Sequence, residues 1–216
     1  GVYEAVAEMD DRGAPVALRC AGQGHALPRT SRFGTVGCMR RRSLPLSDVY
    51  RHLEPGPVVL LTTARAGRAN VMAMSWHTML EFEPPLVGCV VSNRNHSYAA
   101  LVATKECVIA IPTAGIARQA IACGNVSGRR GDKFAAVGLT PAPATRVRAP
   151  LVAECYANFE CRVVDTRMVR KYCFFVIEVL QAWIDPRVKD PRTIHHGGRG
   201  MFLFAGERRR LPSKAN

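Results

Sequence analysis

The segment Asn70-Val71-Met72-Ala73-Met74-Ser75-Trp76 is the part of the chain that indicates the fold most clearly. Its composition is typical of a β-strand, in which successive side chains point to opposite faces. One face should therefore carry the side chains of Asn70, Met72, Met74 and Trp76. An amide, two thioethers and an indole on one face suit a flat aromatic ligand with polar edges. The alternative is ordinary core packing, which the segment favours when it is considered alone, although a buried amide needs hydrogen-bond partners.

The sequence on both sides of this segment predicts a mainly β fold with short helices. Residues 58–63 are apolar and rich in strand formers, and Arg65-Ala66-Gly67-Arg68 supplies a turn into a second strand over residues 69–79, which makes a hairpin. Later strands are predicted at residues 86–92, 106–112, 156–165, 172–184 and 201–205. Short helices are predicted at residues 96–104, 114–123 and 132–138. Several strands with helices between them favour a β-barrel with helical excursions.

The length of 216 residues predicts one domain of ordinary size, over residues 45–207. Residues 1–44 show poor periodicity, so we interpret them as an extension without its own core. Residues 208–216 are interpreted as a basic tail. No apolar run reaches the roughly 18 residues of a transmembrane helix, and the first residues lack the sections of a signal peptide. We therefore expect a soluble, cytoplasmic protein with no membrane partner.

The formal net charge of +13 fits nucleic acid, a membrane surface or small anionic ligands as partners. Two arginine runs, Arg40-Arg41-Arg42 and Arg208-Arg209-Arg210, lie outside the predicted domain. The sequence contains no basic helix with interleaved aromatic residues and no nucleic-acid fold signature. These features argue against nucleic acid as the partner.

The eight cysteines form no C-x-x-C pair, and several lie in apolar runs, as Cys89 does. We interpret them as buried free thiols in a reducing cytoplasm. A zinc site would require closer spacing, so no metal site is predicted.

Two polar loops offer groups that a phosphate needs. Ser92-Asn93-Arg94-Asn95-His96-Ser97 follows a buried strand and enters a helix, so it combines hydroxyls, amides and a cation with backbone donors at a helix N-terminus. The second loop, Asn125-Val126-Ser127-Gly128-Arg129-Arg130-Gly131-Asp132-Lys133, contains glycines and could add the point charge of Lys133. The alternatives are an ordinary capped helix start for the first loop and a solvated loop for the second.

Over about residues 46–207, the order and spacing of these motifs resemble the flavin reductase-like, FMN-binding split-barrel family, and its flavoredoxin-type members in particular. The segments that carry the resemblance include Ala73-Met74-Ser75-Trp76 after Asn70, Pro84-Pro85-Leu86-Val87, His96-Ser97, Asn125-Val126-Ser127-Gly128, Asp132-Lys133-Phe134 and Gly138-Leu139-Thr140-Pro141. Each segment is a weak signal by itself, whereas the ordered set is specific.

The resemblance implies a homodimer of split barrels with FMN held near the dimer interface. It places Asn70 and Trp76 beside the flavin, Ser97 at the phosphate and Lys133 at a flavin-contacting position. Tyr172 stands where family members often have His, so any role that needs an imidazole there is in doubt. The cofactor-binding residues expected from the resemblance and the two loops are Asn70, Ala73, Met74, Ser75, Trp76, Ser92, Asn93, Arg94, His96, Ser97, Asn125, Ser127, Gly128, Lys133, Tyr172 and Phe202.

The function implied is hydride transfer from NADH or NADPH to flavin, and then electron transfer to an unknown acceptor. The flavin performs this chemistry and the protein positions the rings, so no catalytic residue is predicted. The pairs His195-His196 and Arg129-Arg130 are candidates for binding a nicotinamide phosphate or the acceptor, or else exposed loops. Two alternatives remain open: an FMN electron-transfer protein without efficient nicotinamide oxidation, and a binding module without enzymatic activity.

Overall fold

The computed structural model describes residues 56–207, with the side chain of Arg130 excepted. The predicted extension at residues 1–44 and the predicted basic tail at residues 208–216 lie outside this range. None of the helices within it is long and apolar enough to cross a membrane.

Eleven strands and four α-helices make up the described part. The strands are β1 (Val59–Arg65), β2 (Arg68–Met74), β3 (His77–Glu81), β4 (Leu86–Val90), β5 (Glu106–Ile111), β6 (Pro141–Ala142), β7 (Leu151–Val152), β8 (Ala157–Asp165), β9 (Phe174–Ile184), β10 (Ile194–His196) and β11 (Phe202–Phe204). The helices are α1 (His96–Thr104), α2 (Ala117–Asn125), α3 (Lys133–Val137) and α4 (Val169–Tyr172), with 3-10 turns at Ala114–Ile116 and Gly128–Arg130.

Seven strands form one antiparallel sheet in the order β2-β1-β5-β8-β9-β4-β3. Its two edge strands, β2 and β3, are consecutive in the chain and are joined only by Ser75 and Trp76. The sheet must therefore curl until its edges lie close together, which gives a barrel that is split between β2 and β3. The mainly β architecture with short helices agrees with the sequence prediction.

The prediction of one continuous strand over residues 69–79 is wrong. The chain turns after Met74, where the amide of His77 donates to the carbonyl of Ser75 (3.2 Å) and the carbonyl of Trp76 accepts from the amide of Val90 (3.0 Å). Residues up to Met74 pair with β1, whereas residues from His77 pair with β4. Apolar alternation continues through both strands, so the pattern did not reveal the change of partner.

Two apolar clusters lie on opposite faces of the sheet. The inner cluster fills the barrel and contains Val59, Leu61 and Met74 among its buried side chains. The outer cluster contains Leu60 and Val71 from the opposite face of the same strands, and it is completed by side chains of α2 and α3. Strand β1 therefore divides its alternating residues between two cores, as expected for a sheet that is covered on both sides.

Five of the six described cysteines are buried free thiols, as the sequence predicts. Cys20 and Cys38 lie outside the described residues.

Local sequence signals determine the hairpin turn between β1 and β2 and both ends of helix α3. Ala66 and Gly67 have φ values of +49° and +73°, which matches the two-residue hairpin turn predicted between β1 and β2. Helix α3 begins after Asp132, whose carboxylate accepts from the amide of Ala135 (3.2 Å), and it ends at Gly138 with φ +70°.

Candidate functional site

A cavity of about 320 Å³ lies where three segments meet: strand β2, the loop that enters α1, and the chain between the end of α2 and the start of α3. Its lining residues are Asn70, Met72, Ala73, Arg94, Asn95, His96, Ser97, Cys123, Gly124, Asn125, Val126, Ser127, Gly128 and Lys133. The two polar loops singled out in the sequence therefore face the same space.

Asn70 joins strand β2 to the first turn of α1. Its Nδ2 donates to the Oγ of Ser97 at 2.8 Å, and both side chains are buried. Its Oδ1 is also buried but has no hydrogen-bond partner among the described residues. A buried acceptor without a donor costs free energy. The site therefore presents Asn70 Oδ1 to a ligand that brings an N–H or O–H group.

Gly128 allows the loop after α2 to approach Asn70 closely. A Cβ atom built on Gly128 would collide with Oδ1 and Cγ of Asn70 and would lie 3.1 Å from Cδ2 of His96. A glycine is required here by this close approach, since any side chain would displace the groups that line the cavity.

Lys133 brings a buried positive charge to the cavity. Its side chain is 4% exposed, and its Nζ donates to the carbonyl of Cys123 at 2.7 Å. Burial lowers the pKa of Lys133, while the nearby Cys123 acts in the opposite direction. Burial also raises the pKa of the Cys123 thiol to about 11, so this thiol is neutral near pH 7 and supplies no negative charge.

The cavity has no carboxylate to balance this charge. No Asp or Glu is among its lining residues, and none of the ion pairs within residues 56–207 involves Lys133 or Arg94. The first turn of the nine-residue helix α1 faces the cavity with its positive end, and no side chain caps this helix. The arrangement is suited to an anion, because a phosphate would pair with the lysine and accept from donors at the helix start.

A second cavity of about 250 Å³ adjoins the first and is mostly apolar. Ala73, Gly124 and Asn125 line both cavities. In the second cavity the rings of His196 and Phe202 lie side by side, with centroids 5.2 Å apart. One ligand with an anionic end and an apolar ring system could therefore occupy both spaces.

Most of the residues predicted from the sequence meet at these cavities. The first cavity contains nine of them: Asn70, Ala73, Arg94, His96, Ser97, Asn125, Ser127, Gly128 and Lys133. The second contains Met74, Ser75 and Phe202, with Ala73 and Asn125 shared.

Four predicted residues, Trp76, Ser92, Asn93 and Tyr172, line neither cavity. Trp76 lies beyond the end of β2 and is 54% exposed, so it does not share a strand face with Asn70 as predicted. The hydroxyl of Ser92 accepts from the amide of Arg94 (3.3 Å) and thereby shapes the loop. Tyr172 was expected to begin the long strand, but it ends helix α4 and is exposed.

The two methionines that were predicted on the ligand-binding face of β2 pack mainly into the core. Met74 is buried in the inner cluster, and the partly buried Met72 packs against that cluster. The core-packing interpretation therefore holds for these side chains, although each also reaches the edge of a cavity.

Five lining residues were not indicated by the sequence, and these are Val58, Ala120, Ile121, Cys123 and Gly124. Met72, Asn95 and Val126 were predicted only as members of the strand face and of the two polar loops. One pattern could have revealed Ala120 and Gly124, because small residues four positions apart share one face of a helix. His196 was considered only for a nicotinamide or an acceptor.

A family model described as a flavin reductase like domain matches residues 50–203. The chain belongs to this family. The protein YddH of Escherichia coli K12, which is described as uncharacterised, is 34% identical over 179 residues, which cover 76% of this chain and 95% of YddH. An uncharacterised protein of Pyrococcus abyssi is 32% identical over 131 residues, which cover 61% of this chain and 75% of that protein.

Solved structures show the same fold. The FMN-binding domain of a flavin reductases-like enzyme from Shewanella baltica OS155 has a TM-score of 0.69 and 26% identity, covering 78% of this chain and 96% of that one. Flavoredoxin of Desulfovibrio vulgaris (Miyazaki F) has a TM-score of 0.72 at 24% identity, covering 82% of this chain and 99% of flavoredoxin. The expected split-barrel fold of the flavin reductase-like family is confirmed.

Proposed function

We propose that this protein binds FMN and acts as a flavin oxidoreductase, passing hydride from NADH or NADPH to the flavin and electrons on to an acceptor. The observation that carries the proposal is that the buried, unbalanced ammonium of Lys133 lines the same cavity as Ser97 and as Asn70, whose Oδ1 has no partner among the described residues. The FMN-binding domain from Shewanella baltica OS155, whose fold this chain shares, supports FMN as the ligand.

The residues of the first cavity fit the phosphate end of FMN. Lys133 and Arg94 supply positive charge, and the hydroxyl of Ser97 can donate to a phosphate oxygen while it accepts from Asn70. Asn70 Oδ1 can accept from a hydroxyl of the ligand. The second cavity, between Ala73 and Phe202, would receive apolar ring surface.

FMN, when bound, supplies the redox chemistry, since it accepts a hydride and releases electrons to other acceptors. The chain needs no nucleophile for this reaction, and we assign no catalytic residue. Its contribution is to hold the cofactor at both ends and to favour a negatively charged ligand through a cavity with two cations and no carboxylate.

The test is the absorbance spectrum of the purified full chain, followed by stopped-flow mixing with NADH and with NADPH. We expect a flavin spectrum, release of FMN on denaturation, and bleaching of the flavin band by at least one nicotinamide. A colourless protein that takes up no added FMN would contradict the proposal.

A second candidate is an FMN electron-transfer protein that oxidises nicotinamides poorly. It is favoured by Tyr172, which places an exposed phenol at the position where family members often have His. A bound flavin that neither NADH nor NADPH bleaches, but that dithionite reduces and a protein acceptor reoxidises, would favour this candidate over the first.

We also propose that two copies of this chain form a dimer. The support is the apolar surface along the edge strand β3, where Met79 and Leu80 are exposed and the adjacent Phe82 is 87% exposed. An apolar strand at a sheet edge tends to associate with another chain.

A further inference from the structure

A third cavity, of about 210 Å³, lies at the turn of the β1–β2 hairpin and is not used by the proposed FMN site. It shares the lining residues Asn70 and His96 with the first cavity and is therefore its neighbour. Ala99 and Ala100 of helix α1 form its opposite wall, and their small side chains leave the space open.

Two cross-strand pairs line this hairpin cavity. Thr63 is paired with Asn70, which we call the inner rung, and Arg65 is paired with Arg68 two pairs closer to the turn, which we call the outer rung; the pair Ala64–Ala69 lies between them. Side chains two residues apart along a strand share a face, so all four lie on the same face of the hairpin. They form two adjacent polar rungs where the apolar interior of the barrel ends.

The outer rung sets two cations directly opposite each other. Like charges in such a pair destabilise the sheet, and none of the ion pairs within residues 56–207 involves Arg65 or Arg68. An anion between the two guanidinium groups would replace this repulsion with charge-assisted hydrogen bonds.

The inner rung holds two buried polar atoms without partners. Thr63 is fully buried and Asn70 is 5% exposed, yet Thr63 Oγ1 and Asn70 Oδ1 have no hydrogen-bond partner among the described residues. The threonine hydroxyl can donate to an anionic oxygen, and the amide oxygen can accept from a neighbouring hydroxyl. Both rungs are therefore suited to the same kind of ligand, an oxyanion that also carries hydroxyl groups.

We propose that the hairpin cavity is a second phosphate subsite, held by Arg65, Arg68 and Thr63 and located beside the first cavity. This proposal rests on the proposed flavin function. The ligand class is a nucleotide with a second phosphate. Two sources share this chemistry: the second phosphate of FAD, when the first cavity holds the phosphate nearer the flavin, and a phosphate of NADPH bound beside FMN.

The test compares the double variant Arg65→Gln/Arg68→Gln with the wild type by calorimetry at low ionic strength. Both arginines are exposed at a turn, so the substitution leaves the core intact and removes a repulsive pair. The matched control is Arg118→Gln/Arg170→Gln, which removes the same charge from exposed positions that line none of the three cavities. The probes are FMN and FAD with the apoprotein, and NADH and NADPH with the FMN-loaded protein.

We expect the double variant to bind FAD about tenfold or more weakly, since two charge-assisted contacts are lost, while FMN binding changes by no more than about twofold. The variant Thr63→Val should weaken FAD binding without any change in charge. If FAD is unaffected but NADPH binding weakens relative to NADH, the subsite holds and belongs to the nicotinamide. Unchanged binding of FAD and NADPH, or an equal loss in the arginine control, would overturn the proposal.

A wild-type protein that binds no FMN contradicts the flavin function instead. The hairpin cavity is then tested with inorganic pyrophosphate, which should raise the melting temperature of the wild type more than that of the arginine double variant, because the double variant keeps only the first cavity as an anion site. Equal shifts in both proteins would overturn the subsite as well.

Discussion

Lys133 shows how one buried side chain can separate ligand binding from folding. Its ammonium is buried with a single carbonyl contact and no carboxylate, so the free protein bears a desolvation cost that a bound phosphate would offset. We expect Lys133→Met to weaken FMN binding by about 1.5–3 kcal/mol, the range for a charge-assisted contact, without lowering the melting temperature. Calorimetric titration with FMN measures the first effect.

The control for this substitution is Lys171→Met, which removes an exposed charge outside the cavities. It should leave FMN affinity nearly unchanged, because an exposed charge is screened by solvent. Equal affinities for FMN in Lys133→Met and the wild type would show that Lys133 does not contact the phosphate.

The same lysine predicts a pH dependence of binding. Because burial lowers its pKa in the free protein, raising the pH through that lowered pKa removes the ammonium before an ordinary lysine would lose it. A bound anion favours the charged form, so binding takes up a proton in that range. FMN affinity of the wild type should therefore fall as the pH rises through this lowered pKa, at a lower pH than an ordinary lysine would produce. In Lys133→Met this fall should be absent, and its persistence there would assign it to another group.

A substitution at Gly128 tests whether the cavity depends on the close approach of the loop after α2 to Asn70 of strand β2. Gly128→Ala places a methyl group against Oδ1 of Asn70, which must then move. Overpacking of this kind costs roughly 1–3 kcal/mol of stability, and the displaced amide should weaken FMN binding as well. Urea unfolding and FMN titration measure the two effects.

Gly115→Ala is the matched control, since it also lies in a 3-10 turn but its Cβ would meet only Oγ1 of Thr113 at an ordinary 3.6 Å. Similar losses in both variants would mean that a glycine is needed for the turn and not for the approach to Asn70.

At the scale of elements, the sequence predicted the turns and helices that are determined by residues close to them in the chain. The hairpin turn at Ala66 and Gly67 and the short helix at residues 132–138 were both predicted, because each signal lies within a few residues of the structure that it determines. The break between β2 and β3 was missed, since it depends on the distant partners β1 and β4. Tyr172 was misplaced for a related reason, because apolar residues continue past the end of α4 into β9.

In the candidate site too, residues with local sequence signals were predicted, whereas residues whose role depends on distant partners were not. Asn70, Ser97 and Lys133 were each selected from local patterns and family resemblance, and they line one cavity. The arginine pair of the hairpin cavity was seen only as a turn, because its meaning depends on the cross-strand register that sets Arg65 opposite Arg68.

Glu160 shows how a single side chain can fix an element of the sheet. This residue of β8 is fully buried, and its carboxylate accepts from the amides of Thr145 and Val147 and from Nε1 of Trp183 (2.8 Å). Burial would raise the pKa of Glu160, but hydrogen bonds from Trp183, Arg146 and Thr145 outweigh it and hold this pKa below its usual value. The carboxylate therefore fastens the chain between β6 and β7 to the sheet.

Glu160→Gln should lower the free energy of unfolding by about 1.5–3 kcal/mol, as expected for lost hydrogen bonds to a charged group. Because the folded pKa is lowered, this stability is present above the unfolded pKa and is lost as the pH falls through the folded pKa. Urea unfolding at neutral and acidic pH measures both effects. Glu178→Gln, which breaks a largely exposed pair with Arg162, should cost less than about 1 kcal/mol. An equal cost in the two variants would contradict the fastening role of Glu160.

At the scale of the whole molecule, the split in the barrel leaves β3 as an edge strand with apolar side chains on the surface. Phe82 follows this strand and is 87% exposed, so replacing it removes almost no packing from the described part of the chain.

If a second copy covers this surface, Phe82→Ser should shift the protein from dimer to monomer at micromolar concentration while its melting curve as a monomer is preserved. Light scattering after size-exclusion chromatography over a concentration series measures the mass. The control Met168→Ser alters an apolar residue that is 48% exposed but precedes helix α4 and is not part of β3, and it should remain dimeric. A wild type that is monomeric throughout, or a Phe82→Ser variant that is as dimeric as the control, would show that this edge is not the interface between copies.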